Sequence, residues 1–409
     1  MIKKHRAIFI NNDSDKQGLI ERILEGPVSN PFEDLKGQQG ALFSKLALDK
    51  YIEEEVLHDQ KVLTKHSKQS LRSMSSGERK KALLGHIKNS SPEFLILDNP
   101  FDNLDVGSVD DLKQQLSLMS KKTTMLQIIS RKKDLLPFIK EYYMLEDKRL
   151  LAKSYDIQSV EETFFGDELP APLSAINHSG EELIKFKGIT VNYEGMPVLD
   201  NINWVICKGE FWQLKGKNGS GKTTLLSMIT GDNPKGYGQE LFLFGKKKGS
   251  GESIWEIKTK IGYFTPAMID RFKGYHSLEN MLISGLTDSI GLYVQPSEIQ
   301  IRIAKQWLQL IGMEKLRHTY FHDLSMGQQR LIMCIRAMIK HPLLLILDEP
   351  TAGLDDKSAA LFVALVNKIA SESDTSIIFV SHREEAGLNA NLVYELLPGK
   401  RGSTGKRQE

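Results

Sequence analysis

The sequence predicts an α/β fold in which parallel strands alternate with helices, laid down twice in tandem. Three observations carry this. "EFWQLKGKNGSGKTTLL" (210–226) reads as a strand, a glycine-rich loop and a helix. "HPLLLILDEPTAGLD" (341–355) holds the continuous apolar run of a parallel strand buried on both faces. "PEFLILDNPFDNLD" (92–105) matches "PLLLILDEPTAGLD" (342–355) at eight of fourteen positions, at an offset of 250 residues.

The glycine-rich loop is built for phosphate. Gly216, Gly221, Lys222 and Thr223 fill the pattern G-x-x-x-x-G-K-[ST]. Glycines let backbone N–H groups approach phosphate oxygens without a Cβ in the way. Lys222 brings a charge to the β/γ-phosphates, and the Thr223 hydroxyl is placed for Mg²⁺. The following helix offers its positive N-terminus to the same anion. With Asn218, Gly219, Ser220 and Thr224 these residues make the expected nucleotide-binding loop. Downstream, the apolar run ends in Asp348 and Glu349, at the carboxyl end of a strand, where ligands gather in open α/β sheets. Two acids there are costly unless a cation or hydrogen-bond donors meet them. Asp348 as an Mg²⁺ contact and Glu349 as base for the attacking water account for both.

Between these lies "HDLSMGQQRLIMCIRAMIKHP" (322–342), where Leu331, Cys334, Ile335 and Met338 recur at helical spacing. The spacing predicts an amphipathic helix starting near Ser325, with Met333 and Met338 as core. "LSMGQ" resembles the signature of ABC-type ATPases, in its expected place ahead of "LLLILDEP". A "GLDD" similar to the family's D-loop and a switch-like "FVSH" ending in His382 follow. Tyr193 stands where the family keeps an aromatic that stacks on adenine. Residues 185–398 thus resemble one complete ABC nucleotide-binding domain, a P-loop NTPase. The resemblance implies ATP and Mg²⁺ as cofactors and Glu349 and His382 as catalytic residues. Residues 225–264 are similar to tandem ATP-binding proteins of the molybdenum-transport and photorepair type. Thr265, Pro266 and Ala267 depart from the pattern, because importers of the family carry there the glutamine that couples to a permease.

The first half repeats the pattern with its chemistry altered. "MSSGERKK" (74–81) overlays "LSMGQQRL" (324–331), and "IISRKKDL" (128–135) overlays "FVSHREEA" at an offset of 251. "INNDSDKQG" (10–18) falls at the phosphate loop, with Ile10, Asp13 and Asp15 in place of glycines and Gln17 in place of the threonine. Carboxylates there repel a triphosphate. Asn99 stands at the position of Glu349, and an amide takes no proton from water. On this alignment Arg131 replaces the switch histidine. Residues 1–150 are therefore expected to be a truncated, degenerate ABC-like domain lacking most of the helical subdomain and the adenine-binding strands. Ser75 and Gly77 retain two signature positions, while Ser76 and Glu78 depart from the family's Gly and Gln. ABC domains pair head to tail, so the resemblance implies intramolecular pairing with Ser75 and Gly77 opposite the loop of Lys222.

Composition sets bounds. Hydrophobic residues make up 40% of the 409 and charged residues 26%, with net charge +2, which argues for no particular partner. Cys207 and Cys334 supply neither a disulfide framework nor a four-cysteine zinc site. No stretch is long and apolar enough to span a membrane. The expected location is cytoplasmic, peripheral at the inner membrane face through a partner. Residues 151–184, with two prolines in "GDELPAPLSAINHSGEE", read as a linker, and 399–409, "GKRGSTGKRQE", have disordered composition. The leading expectation is the ATP-binding component of a transport system, with a membrane permease subunit as partner. A soluble ABC ATPase acting on ribosome or nucleic acid ranks behind it. The linker is too short for the long arm of the translation-factor branch, and the cysteines too few for the excision-repair type. An ATP-gated binding module with little turnover is the third reading.

Overall fold

The computed structural model describes residues 3–25, 30–58, 60–65, 69–153, 165–272 and 274–408. Residues 154–164, within the expected linker 151–184, lie outside the described residues. The chain forms two compact units, residues 1–160 with Gly353–Asp356, and the remainder.

The first unit is one six-stranded sheet. Its strands are β1 (Arg6–Phe9), β2 (Gly40–Phe43), β3 (Phe94–Asp98), β4 (Thr124–Ile129), β5 (Glu141–Glu146) and β6 (Arg149–Lys153), in the order β2-β3-β4-β1-β5-β6. All neighbours run parallel except β5 and β6, which form a hairpin. The helices are α1 (Lys16–Leu24), α2 (Lys45–His58), α3 (Ser76–Ser90) and α4 (Val106–Ser120). Two apolar clusters divide the strands' side chains by face. Leu95 and Leu97 pack with Leu83, Leu84 and Leu116, whereas Ile96 packs with Ile8, Leu19 and Ile23. That alternation is the period of two of a strand covered on both faces.

The second unit repeats the topology. It contains β7 (Glu182–Tyr193), β8 (Met196–Cys207), β9 (Phe211–Gly216), β10 (Leu241–Leu243), β11 (Lys246–Lys247), β12 (Ile261–Phe264), β13 (Leu344–Asp348), β14 (Ser376–Val380), β15 (Leu392–Leu397) and β16 (Thr404–Gln408). Its main sheet has the order β12-β13-β14-β9-β15-β16, strand for strand the order of the first unit. An antiparallel sheet, β11-β10-β7-β8, is added to it. The helices are α5 (Lys222–Ile229), α6 (Ile254–Lys260), α7 (Leu278–Ser284), α8 (Glu298–Leu310), α9 (Met326–Met338) and α10 (Asp356–Glu372). Between β12 and α9 stand α7 and α8, where the first unit, among the described residues, has α2 as its one α-helix between β2 and α3. No helix among the described residues is long and apolar enough to cross a membrane.

Three expectations are corrected here. The helix after Ser325 is not amphipathic in the usual sense. Besides Leu331, Cys334, Ile335 and Met338 it buries Ile332, Met333, Arg336 and Ala337, because it is enclosed by the neighbouring elements rather than laid on a surface. The expected linker 151–184 is trimmed at both ends, since β6 runs to Lys153 and β7 starts at Glu182. The tail 399–409 is not disordered over Thr404–Gln408, which pairs antiparallel with β15. Its polar residues suit an edge strand, which supplies its own ladder of backbone hydrogen bonds. Gly405 makes the pairing close. A Cβ there would lie 1.8 Å from the Tyr394 hydroxyl, which donates to the Asn203 carbonyl at 2.8 Å beneath a fully covered ring. Gly405→Ala should therefore lower the thermal midpoint by several degrees, as overpacking costs about 1–3 kcal/mol. Calorimetry of the variant tests this, and an unchanged midpoint would mean the edge strand yields freely.

Candidate functional site

The site is assembled from the carboxyl ends of β9, β13 and β14, which lie side by side in the order β13-β14-β9. The loop from Gly216 to α5 turns on glycines. Gly221, the residue capping α5, has φ 93°, and a Cβ there would sit 2.6 Å from Leu199 Cδ2. A Cβ at Gly216 would meet Ser220 Oγ at 2.5 Å and Leu396 at 3.1 Å. Both positions therefore require glycine for space as well as for backbone freedom. Asn218 and Gly219 are exposed, while Ser220 is buried and its hydroxyl oxygen finds no protein partner. Thr223 is exposed and Thr224 half-buried on the first turn of α5, whose N–H groups point out of the helix end.

Lys222 is buried. Its ammonium donates to the carbonyls of Gly216 (2.8 Å) and Lys217 (3.1 Å) and lies 3.4 Å from His382 Nδ1. The other ring nitrogen, Nε2, meets Glu349 Oε1. An ammonium can only donate, so Nδ1 accepts and Nε2 carries the proton given to Glu349. Burial pushes the Glu349 carboxyl up, but the hydrogen bond from His382 and the charge of Lys222 outweigh it. The carboxyl is held below its ordinary value. Asp348 goes the other way. Burial and the adjacent Glu349 raise it, against the opposing pull of Tyr263, Lys222 and His382. Two neighbouring acids are thereby driven apart in proton affinity, the pattern that assigns different tasks to paired carboxylates.

Glu349 sits at φ 52°, with its N–H donating to the Val380 carbonyl at 3.0 Å. A left-handed conformation costs a glutamate about 1–2 kcal/mol, so the kink after β13 is held by its surroundings. Asn99 holds the same place after β3, at φ 40° with its N–H on the Ile128 carbonyl at 2.9 Å. Asparagine tolerates that conformation.

Tyr193, at the end of β7, is 37% exposed. Its hydroxyl accepts from Asn233 Nδ2 at 2.8 Å, and the Lys235 ammonium stands 5.7 Å from its ring centre. Asn233 and Tyr263 are the residues that sequence reasoning missed. Tyr263 donates its hydroxyl to Asp348 Oδ2 at 3.2 Å. The oxygens of Asp348 and Thr223 are hard donors suited to Mg²⁺. Among the described residues no group of three or more His, Cys, Asp or Glu side chains could cage a metal alone.

In the first unit, Ser75 caps α3 much as Ser325 caps α9. Gly77 and Gly327 each let a serine of the following helix approach: added Cβ atoms would meet Ser108 Oγ at 3.2 Å and Ser358 Oγ at 2.5 Å. The caps differ in one atom. Glu78 accepts from both the Ser75 N–H and its hydroxyl at 2.8 Å, whereas Gln328 accepts from the Ser325 N–H at 3.0 Å. The two hydrogen bonds from Ser75 hold the Glu78 carboxyl below its usual range.

The loop at 10–18 has closed on itself. The N–H of Asn11 goes to Ser14 Oγ, that of Ser14 to the Asn11 carbonyl, that of Lys16 to the Ser14 carbonyl and that of Gly18 to Asp15 Oδ1, at 2.7–3.1 Å. Asp15, at φ −72°, is the cap of α1 rather than a bare charge in a phosphate cradle. Within the same unit Asn12 exchanges two 2.8 Å hydrogen bonds with Asp355. Lys16 pairs with Asp98 at 3.0 Å.

The strand register corrects the expectation for Arg131. Ile8 pairs with Ile128 as Leu214 pairs with Val380, and Asp98 with Ile128 as Asp348 with Val380. Two residues past those partners come Ser130 and His382, so Ser130, not Arg131, takes the histidine's place. Its N–H and hydroxyl both donate to Asn99 Oδ1, at 3.0 and 3.2 Å, a neutral counterpart of the His382–Glu349 contact. Arg131 instead donates to the Leu354 carbonyl at 2.6 Å.

Comparison with known proteins follows the same division. Residues 199–352 match the ABC transporter family. The ABC transporter ATP-binding protein ModF of Escherichia coli is 39% identical over 76% of this chain and 67% of its own length. An uncharacterized ABC transporter ATP-binding protein of Schizosaccharomyces pombe is 31% identical over 77% of this chain and 66% of its own. The chain thus spans about two thirds of the length of these relatives. An archaeal ribosome recycling factor, aABCE1, solved in complex with a ribosomal stalk protein, superposes at TM-score 0.61 over 99% of this chain and 86% of its own, at 13% identity. That likeness shows the fold alone. Together with the glycine loop and the acid–histidine–lysine cluster, the match to these relatives means that the chain belongs to the family of ABC transporter ATP-binding proteins.

Proposed function

We propose that the chain binds one Mg·ATP at the second-unit site and hydrolyses it, as the ATP-binding component of a transport system. The observation that carries the reading is the Lys222–His382–Glu349 chain beside a glycine loop in which Gly216 and Gly221 leave no room for a Cβ. In this reading Lys222 leaves the Gly216 and Lys217 carbonyls for the β/γ-phosphate oxygens. The N–H groups of the loop and of α5 receive the remaining phosphate charge, and Tyr193 stacks on the base. Thr223 and Asp348 would hold the cation, which neutralises charge on the transferring phosphate. Glu349, kept ionised by His382, takes the proton of the attacking water. The closed loop at 10–18, the Lys16–Asp98 ion pair and the amide at Asn99 support a first half that binds no nucleotide. Ser75 and Gly77 are proposed to face the bound ATP, as head-to-tail pairing of such domains implies. The transport role rests on the family and on the names of the relatives, with a membrane permease as the partner.

Calorimetric titration with Mg·ATP should give a stoichiometry near one. Lys222→Ala should abolish binding and Lys16→Ala should leave it unchanged. Two sites per chain would reject the reading of the first half. Fractionation of cell extract with cross-linking tests the partner. Recovery with ribosomes or nucleic acid rather than membrane would overturn the transport role.

A further inference from the structure

We infer that Tyr263 is a positioning residue for Asp348, whose hydroxyl keeps that carboxylate turned to the cation and apart from Lys222. The inference rests on the Mg·ATP reading of the site. It follows from strand geometry. β12 and β13 run side by side, with Tyr263 opposite Ile346. Asp348 lies two residues beyond Ile346, hence on the same face, and the phenol reaches along the sheet to its Oδ2 at 3.2 Å. The ring packs against the apolar cluster that includes Ile346 and Leu226, which fixes its direction. One oxygen of Asp348 is thus tied, and Lys222 is engaged with its own loop carbonyls at 2.8 and 3.1 Å.

The first unit is an internal comparison with the same strand order and the same pairing. Leu42 stands opposite Ile96 as Tyr263 stands opposite Ile346. Leucine donates nothing, and there the strand-end acid has been taken by the loop lysine, Lys16 to Asp98 at 3.0 Å. In such an ion pair the charge meant for phosphate and the charge meant for the cation cancel each other. Where the hydroxyl is present the pair is open, and where it is absent the pair is closed.

Tyr263→Phe removes the hydroxyl and little else. The dissociation constant of Mn²⁺ in the presence of ATP, read by electron paramagnetic resonance, should rise roughly tenfold, the scale of one hydrogen bond to a charged group. Binding of a fluorescent ATP analogue in EDTA should weaken less than metal binding does, through the pull of the released Asp348 on Lys222 alone, and the thermal midpoint without ligand should stay unchanged. Tyr263→Leu, which installs the first unit's residue, should lose Mn²⁺ affinity likewise. A phenylalanine variant that holds Mn²⁺ as the wild type does would overturn the inference. So would an equal loss with and without metal, the mark of a purely structural tyrosine. A wild-type chain showing no ATP-dependent Mn²⁺ binding would reject the Mg·ATP reading itself.

Discussion

Glu349→Gln is expected to remove ATP hydrolysis while leaving ATP binding intact. A general base contributes about 10²–10⁴-fold to rate, and the substitution deletes the base with its shape preserved. The backbone tolerates it, because glutamine has the same side-chain stem as the glutamate already held at φ 52°. The amide oxygen can still accept from His382 Nε2, so the chain to Lys222 survives. Phosphate release and nucleotide titration on the same sample check the result. A variant that turns over at the wild-type rate would mean that another group activates the water. The environment adds a pH expectation. His382 and Lys222 hold the wild-type carboxyl below its ordinary value of 4.5. Activity should therefore not fall through protonation of this group until the pH drops below that range.

Ser75→Arg is the second large effect expected, on the proposal that the first half presents its signature to ATP bound at Lys222. An arginine at the cap displaces the phosphate from the donors of α3, and loss of such oriented donors costs about 10²-fold. In the structure the Ser75 hydroxyl donates to Glu78 at 2.8 Å. The donors left for a phosphate are then the N–H groups of the first turn of α3, a sharper expectation than a hydroxyl contact. Ser325→Arg should do little. If two chains instead pair through their second halves, the pattern reverses. Activity then rises as the square of protein concentration, and that outcome rejects the fixed-partner proposal.

The legible parts of this chain are those whose signal is local. The apolar run before Asp348 and the glycine spacing from 216 to 221 declare a strand and a phosphate loop within a few residues. The repeat at 250 residues is equally plain because β3 and β13 must fill the same buried slot. What escaped is what depends on distant partners. Tyr263 meets Asp348 across 85 residues of sequence and Asn233 meets Tyr193 across 40, and neither tyrosine nor asparagine carries a motif of its own. The tail failed for a different reason. Thr404–Gln408 is polar in composition, yet an edge strand needs only a backbone ladder and, at Gly405, the absence of a side chain over Tyr394. The switch position was misread because α4 has 15 residues where α10 has 17. Matching letters absorbs half of that difference, and hydrogen-bonded register does not.

That two-residue difference bears on any attempt to give the first half, proposed to bind no nucleotide, the chemistry of the second. A designer aligning letters would install the imidazole at Arg131. In an extended chain, neighbouring side chains leave on opposite sides, so the new ring would turn away from the acid and strip the Leu354 carbonyl of its donor. Ser130 is the position whose own atoms already touch the side chain of residue 99. The differences between the two halves are therefore not independent letters to be exchanged one at a time. The two-residue difference in helix length moves the frame in which those letters are read.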